Sequence, residues 1–324
     1  MSKPLVSIII PVYNAQEHLQ KAITSILNQS YQNLEILICD DASTDNSIQI
    51  IEAIKDSRIV FFKNKTNKGY LKTCNYLFKQ AEGDYIGFQD ADDWSHKERV
   101  KTTIDFLEKN NSIQLCGCNF SRKTNDKIIY QSKYPKTHNE IIHYIEKNKD
   151  VPFCGATVIF KREVYTKIGG YKLFFDRKGY EDLDWLLRIS ENFKVANIEN
   201  SYYEYNYNHD SISRVNLDVD YIKFHIKEIA WYLKEERKEN GLDALTTDKY
   251  SSKFIKYLKK LEINFNENKF QLYKRVLFNS LNNGDLKNGK KTLKTAHQDN
   301  KINTKQAFYL TYRFIRSYIK TKLK

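Results

Sequence analysis

The first hundred residues alternate between short apolar segments and amphipathic ones, and this alternation limits the folds open to the chain. VSIIIPV (Val6 to Val12), LEILICDD (Leu34 to Asp41) and IVFFKN (Ile59 to Asn64) have the composition of buried strands. Segments with helical spacing separate them, the first from His18 to Leu27. Because strands separated by helices pair in parallel, the sequence predicts a nucleotide-binding α/β half with a mainly parallel sheet.

A fourth strand-like segment, Tyr85 to Gln89, runs directly into the carboxylates of Asp90, Asp92 and Asp93. Open α/β sheets bind ligands at the carboxyl ends of their strands. Like charges this close raise one another's pKa, which favours a divalent cation that carries its own oxygen-rich ligand, such as a diphosphate. The alternative is a solvated acidic turn that caps the helix beginning near His96.

The rest of the chain divides into a mixed segment and a helical one. From about residue 113 to 214 the pattern predicts further strands, including separate ones at Lys194–Ile198 and Ser201–Tyr207, and a helix from Glu181. After Val215 it predicts lysine-rich helices, one of them spanning Tyr221 to Lys238. We therefore expect one domain over residues 1–215 and a basic α-helical region over residues 216–324.

A chain of 324 residues with 41% hydrophobic content can bury one large core, or one core and a smaller appended domain. The longest apolar run is far shorter than the roughly 20 residues of a membrane span, and no basic-then-apolar leader precedes it. We expect a cytoplasmic protein. The five cysteines lack paired CxxC spacing, so we expect them to be reduced and mostly buried.

The formal net charge of +13 is compatible with nucleic acid, an anionic membrane surface or an acidic substrate. Basic residues become nearly unopposed at the end, where Lys301 to Lys324 holds seven of them and no acidic residue. No recognised module with interleaved basic and aromatic residues is visible, so we expect no nucleic-acid partner. A metal-dependent nucleotidyl- or phosphotransferase is a second alternative, although neither a Walker loop nor a GxGxxG element is present.

Four motifs occur in order along the first two thirds of the chain. They are PVYNAQEHL with ICDDASTDNS, NKGY (Asn67 to Tyr70), DADD (Asp90 to Asp93) and GYEDLDWLLRI (Gly179 to Ile189). Together they resemble glycosyltransferase family 2, the inverting nucleotide-sugar-dependent enzymes. The resemblance covers about residues 4 to 214. It implies a GT-A fold, a mixed, mainly parallel sheet flanked by helices, with a C-terminal helical extension, a donor half over about residues 1–110 and an acceptor half over 111–215.

The resemblance also implies which residues bind the donor. Asp41 would accept a hydrogen bond from the base imide, which favours uracil, and Tyr13 offers a ring face for stacking on the base. The alternatives are a turn or cap for Asp41 and loop packing for Tyr13. The full set of implied donor-binding residues is Pro11, Tyr13, Asp41, Asn67, Gly69, Lys72, Asp90 and Asp93.

The metal site implied by the resemblance has Asp92 as direct ligand of Mn²⁺ or Mg²⁺. Such an ion neutralises charge on the departing diphosphate. His209 matches a position from which a histidine reaches the metal or the diphosphate, with an ordinary structural role as the alternative.

The catalytic base implied by the resemblance is Asp182, which would take the proton of the attacking acceptor hydroxyl. Glu181 would hold the acceptor or orient the base, while Asp184 points elsewhere on the helix. A helix start enriched in acid for the macrodipole alone is the alternative. One departure concerns the donor side, because Cys74 stands where relatives often have an arginine; Lys72 is the nearby candidate for the phosphate-facing charge.

The C-terminal segment from Thr304 to Lys322 predicts an amphipathic helix. Its apolar face includes Phe308, Ile315 and Ile319, and basic residues gather on an adjoining arc. This pattern fits an interfacial helix on anionic lipid, and it also fits a helix docked on its own domain. We expect transfer from a UDP-sugar to a glycan or lipid-linked saccharide acceptor in bacterial lipooligosaccharide, capsule or exopolysaccharide synthesis, with peripheral contact at the inner face of the cell membrane.

Overall fold

The computed structural model describes residues 3–124, 127–206, 217–246, 250–282 and 284–322. The chain forms two compact units, Met1–Tyr207 and Asn208–Lys324. The first unit contains the sheet and the acidic motifs of the sequence, and the second is helical.

The first unit is built on one mixed sheet of nine strands in the described residues, with the order β3-β2-β1-β4-β8-β6-β9-β5 and with β7 paired to β6. The strands are β1 (Val6–Val12), β2 (Leu34–Asp40), β3 (Ile59–Lys63), β4 (Tyr85–Phe88), β5 (Trp94–Ser95), β6 (Leu115–Thr124), β7 (Lys127–Gln131), β8 (Ile159–Lys161) and β9 (Val195–Asn206).

Helices of this unit connect the strands. They are α1 (Leu19–Leu27), α2 (Ser47–Ala53), α3 (Tyr70–Gln80), α4 (Arg99–Lys109), α5 (His138–Asn148), α6 (Arg162–Ile168) and α7 (Glu181–Asn192). Strands β1 to β4 pair in parallel, as the alternating pattern predicts. Every residue of β1 is buried, because a central parallel strand is covered on both faces. The carboxyl ends of β1, β2 and β4 therefore meet at one edge of the sheet.

The other half of the sheet is mostly antiparallel, and here the sequence prediction needs correction. The two strands expected at 194–198 and 201–207 are one strand, β9, whose register against β6 shifts near Asn119. Polar residues in the middle of β9 mark this irregularity, and they mimic a loop in the sequence. The segment ATVIFKR, from Ala156 to Arg162, also predicts a strand, but its first two residues belong to a 3-10 turn before β8.

Several helix boundaries also differ from expectation. In the sequence, Ser43 and Thr44 are the predicted caps of the helix after β2, but α2 starts after Asn46. Ser43 instead bonds to Asn14 and Asp40. The helix expected over 221–238 is divided at His225. The prediction omitted α5 and α6. The cysteines are free, and four of the five are buried, as expected.

The second unit is a set of helices, α8 (Tyr221–Phe224), α9 (Ile226–Asn240), α10 (Ser252–Glu267), α11 (Lys269–Asn282), α12 (Leu286–Gln298) and α13 (Thr304–Lys322). Helix α12 was not predicted, because it has four lysines and few large apolar residues, and its buried side is formed by Gly289, Thr292 and Ala296. Ala296 and Leu310 close a small core with Tyr273 and Leu277. Among the described residues, no helix is long and apolar enough to cross a membrane.

Helix α7 is fixed in the first unit by a buried ion pair. Arg188 Nε lies 2.8 Å from Asp184 Oδ2, and the two side chains are 7% and 0% exposed. The same guanidinium donates to the carbonyls of Ile168 (2.8 Å) and Gly170 (2.9 Å), in the segment that leads to the helix. This arrangement sets the position of the first turn of α7.

We predict that Arg188→Met lowers the free energy of unfolding by about 3–5 kcal/mol, because it leaves the Asp184 carboxylate buried without its cation. Urea denaturation measures the loss. The double variant Arg188→Met/Asp184→Leu should recover much of it, since no unpaired charge then remains. A loss below about 1 kcal/mol in the single variant would contradict this role for the pair.

Candidate functional site

The predicted nucleotide side of the site is organised by Asp41, just after β2. Its Oδ1 accepts hydrogen bonds from Asn64 Nδ2 (2.7 Å) and the Lys68 N–H (2.8 Å), and its Oδ2 accepts one from the Gly69 N–H (2.7 Å). Asp41 therefore fixes the turn that carries the NKGY motif. A carboxylate has about four acceptor positions, so one remains for the predicted contact with a base.

The loop after β1 lies beside this turn. Pro11 is buried in β1 and pairs with Cys39 of β2, whereas the Tyr13 ring is 51% exposed. Asn14, in a left-handed conformation, accepts a hydrogen bond from the Thr44 N–H at 2.8 Å. An exposed ring on a loop fixed in this way can stack on a planar ligand.

The carboxylates after β4 have different surroundings. Asp93 is buried, and its Oδ1 accepts a hydrogen bond from the Asn206 N–H at 2.7 Å, which links the segment between β4 and β5 to the end of β9. Asp90 is half-buried; the Tyr70 hydroxyl donates to its Oδ1 at 3.3 Å. Asp92 is half-buried too, and burial raises its pKa while the charge of His18 acts in the opposite direction.

Arg99 places one positive charge beneath this cluster. It is fully buried and donates through Nη2 to the Phe88 carbonyl at 2.9 Å, and its guanidinium lies 5.5 Å from the Tyr203 ring centre. The Tyr203 hydroxyl in turn accepts the Asp90 N–H at 3.1 Å. The sequence motifs do not include Arg99 or Tyr203, so neither was predicted. The one available signal was an arginine next to the apolar face of a predicted helix.

Helix α7 brings in the second acidic centre. Glu181 and Asp182 are its first two residues, and the left-handed Gly179 and Tyr180 direct the chain into it. Asp182 Oδ1 accepts the Leu183 N–H at 2.8 Å. Its side chain faces Gly155, where an added Cβ would lie 3.4 Å from the carboxylate. Asp184 is buried with Arg188 and takes no part in this centre.

The two acidic centres interact electrostatically, although about 90 residues separate them in the chain. Burial, then the charge of Asp92, raises the pKa of Asp90 to about 7, and Asp182 adds to the rise. Burial, then Asp182, raises the pKa of Glu181 to about 7, with Asp90 contributing. Burial raises the pKa of Asp182 as well. Arg99 also connects their surroundings, because it donates to the Phe88 carbonyl at the end of β4 and, at 3.4 Å, to the Ala156 carbonyl, next to the Gly155 that Asp182 faces. The two centres therefore lie close together, and the space between them is called the cleft below.

The side chains of this cleft supply only part of the ligands that a cation needs. Among the described residues, no three His, Cys, Asp or Glu side chains converge into a ready-made metal cage. Asp90 and Asp92 are oxygen donors that repel each other, and an ion held by one or two carboxylates would take its other ligands from phosphate and water, as Mg²⁺ and Mn²⁺ do. His209, the other predicted ligand, lies outside the described residues.

The remaining predicted donor residues lie on the turn before α3 and in its first turn. Gly69 precedes α3 with a φ of 93°, a conformation that favours glycine. Asn67 accepts a hydrogen bond from Arg177, and Lys72 Nζ lies 2.7 Å from Asp176 Oδ2. Asp176 and Arg177 were not among the predicted residues.

Comparison with known proteins now gives the family. The model of Glycosyl transferase family 2 matches residues 7–169. The putative glycosyltransferase EpsE of Bacillus subtilis is 32% identical over 221 residues, which cover 66% of this chain and 77% of EpsE. The chain belongs to glycosyltransferase family 2. This glycosyltransferase is therefore an enzyme of the predicted class, and the family prediction is confirmed.

Further relatives and solved structures agree. UDP-Glc:alpha-D-GlcNAc-diphosphoundecaprenol beta-1,3-glucosyltransferase WfaP of Escherichia coli is 45% identical over 104 residues, 32% of this chain and 41% of WfaP. S. aureus TarS 1-349 in complex with UDP-GlcNAc has a TM-score of 0.59 at 19% identity, covering 91% of this chain and 92% of that one. Mannosyltransferase PcManGT from Pyrobaculum calidifontis, in complex with GDP-Man and Mn²⁺, has a TM-score of 0.53 at 16% identity, covering 98% and 81%. These structures confirm the predicted GT-A fold.

We predict that Glu181→Gln stabilises the protein at pH 8. An unfolded glutamate titrates near 4.5 and the folded Glu181 near 7, so the folded state binds more protons in this window and loses stability as pH rises through it. Removing the charge should raise the free energy of unfolding by about 1–2 kcal/mol at pH 8 and by almost nothing at pH 5.

Thermal unfolding at the two pH values measures this difference. Glu163→Gln is the matched control, because Glu163 also lies in the first turn of a helix but is exposed. A gain of equal size at both pH values, or no gain, would show that Glu181 is not destabilised by its surroundings.

Proposed function

We propose that this glycosyltransferase transfers a sugar from a UDP-sugar to a glycan acceptor by direct displacement, with inversion at the anomeric carbon. The observation that carries the proposal is the proximity of two acidic centres, one after β4 and one at the start of α7, whose surroundings Arg99 connects. The mutual rise in the pKa values of Asp90 and Glu181 agrees with this proximity. A cleft with one acidic centre at the strand ends and another at a helix start can act on the two sides of a reacting sugar.

The donor proposal is supported by related proteins. WfaP and a second Escherichia coli relative, WfgD, which is 35% identical over 144 residues, are both named as UDP-Glc-dependent glucosyltransferases. TarS 1-349 has been solved with UDP and with UDP-GlcNAc. In this chain, Tyr13 would stack on the base and the remaining acceptor position of Asp41 would receive its imide N–H. Asn67 and Gly69 would border the ribose and phosphates.

The base proposal concerns Asp182. Its Oδ1 is occupied by the Leu183 N–H, which leaves Oδ2 to accept the proton of an acceptor hydroxyl. Burial raises the pKa of Asp182, and a base with a raised pKa accepts a proton more readily in the transition state. Gly155 leaves room beside the carboxylate, and Glu181 would bind another hydroxyl of the acceptor.

The metal proposal concerns Asp92, with Asp90 beside it. These residues would hold Mn²⁺ or Mg²⁺. When bound, the ion would neutralise charge that develops on the leaving diphosphate. The half-buried position of Asp92 keeps its carboxylate accessible, while Asp93 is committed to Asn206 and would act mainly by fixing the cluster.

The acceptor proposal rests on the relatives and on α13. WfaP and WfgD are named for an acceptor with a diphosphoundecaprenol group, so we propose a glycan or lipid-linked saccharide acceptor in bacterial surface-polysaccharide synthesis. An acceptor of this kind lies at a membrane surface, and a protein that uses it benefits from contact with that surface.

Helix α13 has two apolar faces, of which one is buried and the other is exposed. Leu310 is fully buried, and Phe314 lies 3.2 Å from the position of a Cβ on Gly289, so one face docks on its own unit. Phe308 is 72% exposed, and Tyr312, Ile315 and Ile319 are about half exposed along the other face. Residues 208–324 carry 25 lysines and arginines against 13 acidic residues. We propose that the second face contacts an anionic membrane surface.

We predict that Asp182→Asn keeps UDP binding within about threefold of wild type and lowers transfer by about 10²- to 10⁴-fold, the usual contribution of a general base. Calorimetry with UDP and a transfer assay over a panel of UDP-sugars measure the two quantities. Asp105→Asn is the control, because the Asp105 side chain is 47% exposed on α4. Full transfer activity in Asp182→Asn would remove the base assignment.

Asp92→Asn should have the complementary effect. We predict that it abolishes the increase in UDP affinity caused by Mn²⁺ and leaves the metal-free affinity nearly unchanged, because only the ion's ligand is lost. Calorimetry with and without Mn²⁺ measures this difference. A Mn²⁺ effect that persists in the variant would refute Asp92 as ligand.

For the membrane contact, we predict that Phe308→Ser/Ile315→Ser/Ile319→Ser weakens binding to vesicles rich in phosphatidylglycerol by at least about tenfold, because it removes the exposed apolar face. Deleting α13 would be a poorer test, since it also removes Leu310 from the core. Leu242→Ser, which removes an aliphatic side chain that is 58% exposed elsewhere in the unit, is the control. Unchanged sedimentation of the triple variant with the vesicles would refute the contact.

A further inference from the structure

The segment between α6 and α7 packs against the donor side of the cleft through side chains of α3. Asn75 donates from Nδ2 to the Tyr171 carbonyl and accepts the Tyr171 N–H through Oδ1, both at 2.8 Å. One turn earlier on α3, Lys72 pairs with Asp176. The loop that precedes the proposed base is therefore attached to the helix that follows the NKGY turn.

Arg177 extends this attachment to the turn itself. Its Nη2 donates to Asn67 Oδ1 at 2.9 Å and to the Asn67 carbonyl at 3.3 Å. A Cβ on Gly69 would lie 3.1 Å from Asp176 Oδ1 and 3.6 Å from Arg177 Nε. Arg177 is thus close to the backbone of the turn that Asp41 organises, although 110 residues separate it from Asn67 in the sequence.

The charge of Arg177 is not used by this attachment. Asn67 is neutral, the residue is exposed, and its Nε and Nη1 make no hydrogen bond to the described residues. Asp176 is paired with Lys72, so this carboxylate neutralises one of the two cations and a net positive charge remains. In a cleft lined by the carboxylates of Asp90, Asp92, Glu181 and Asp182, this is a place where a polyanion can bind.

The location also suits the diphosphate of a nucleotide. The turn connects Asp41, which faces the predicted base site, to Tyr70, whose hydroxyl contacts Asp90. If the base of a nucleotide lies near Asp41 and its other end near Asp90, its phosphates lie beside this turn. Cys74 is buried and uncharged on the same helix, so the positive charge must come from another residue.

We propose that Arg177, together with Lys72, binds the donor's diphosphate, and that Asp176 offsets part of their positive charge while the site is empty. This inference rests on the proposed function for its donor. Since Arg177 lies five residues before Asp182, donor binding would also order the chain that leads into α7. Arginine suits this role because its planar guanidinium can bond to Asn67 and to phosphate oxygens together.

Calorimetry with UDP and UMP in the presence of Mn²⁺ tests the proposal. We expect Arg177→Gln to weaken UDP binding by about tenfold or more and UMP binding clearly less, because a charge-assisted hydrogen bond to the second phosphate is lost. Arg177→Lys should retain part of the affinity. Lys178→Gln, which removes the neighbouring positive charge of the same loop, should leave both affinities unchanged.

Asp176→Asn separates a role in binding from a role in structure. If Arg177 and Lys72 bind phosphate, removing the nearby negative charge should leave UDP affinity equal or higher. If the contacts only hold the loop, Asp176→Asn and Arg177→Gln should weaken UDP and UMP alike, and that result would overturn the proposal. Unchanged UDP affinity in Arg177→Gln would overturn it too.

Failure of the donor assignment would give a different result. Wild-type protein that ignores UDP but binds GDP would refute the preference for uracil alone, and the same variants measured with GDP and GMP would then decide the role of Arg177. Wild-type protein that binds no nucleoside diphosphate would refute the proposed function, and the diphosphate subsite with it.

Discussion

Repulsion between carboxylates is the constraint that shapes this enzyme. The fold brings Asp90, Asp92, Glu181 and Asp182 to one cleft, where burial disfavours their charged forms and each charge disfavours the others. Such an arrangement costs stability, so rigid supports must hold it. Arg99 lies beneath the strand ends, and the Asp184–Arg188 pair fixes the helix that bears the second centre. A ligand that carries positive charge, or brings a cation with it, relieves the repulsion.

Charge is distributed unevenly between the two units. This supports separate roles for them, with the chemistry in the first unit and the proposed membrane contact in the second. Residues 1–207 carry 28 lysines and arginines against 27 acidic residues, so the unit with the cleft is nearly neutral and its acidity is local. Residues 208–324 carry almost all of the excess positive charge. The net charge of the chain therefore describes the helical unit and says little about the chemistry in the cleft. A basic surface next to an exposed apolar helix face is suited to an anionic lipid surface.

The sequence predicted the donor half well, because its signals are local. Parallel strands with continuous apolar runs, such as Val6–Val12, can be recognised from a few residues, and the aspartates that end them occupy defined positions. Irregular elements were predicted poorly. Strand β9 contains a register shift that looks like a loop, and α12 conceals its buried side behind small residues. Helix propensity and periodicity depend on local sequence, so they do not predict such tertiary contacts.

The same limit applied to the site. Motifs indicated Asp90, Asp92 and Asp182, because a spacing of a few residues defines each centre. Residues that act from outside a motif, such as Arg99 and Arg177, become visible only when the chain is folded, since their partners lie far away in sequence. Asp41 illustrates the converse, because its motif position did not reveal that three of its acceptor positions are occupied, one by Asn64 and two by the NKGY turn.

The central claim is that two acidic centres, distant in the chain, share one cleft. Titration of the Glu181 carboxyl by ¹³C NMR, in wild type and in Asp90→Asn, measures this most directly. The account predicts a wild-type pKa of about 7 and a clear decrease when the Asp90 charge is removed, because the two groups interact. An ordinary glutamate pKa in wild type, or a titration that Asp90→Asn does not change, would contradict it.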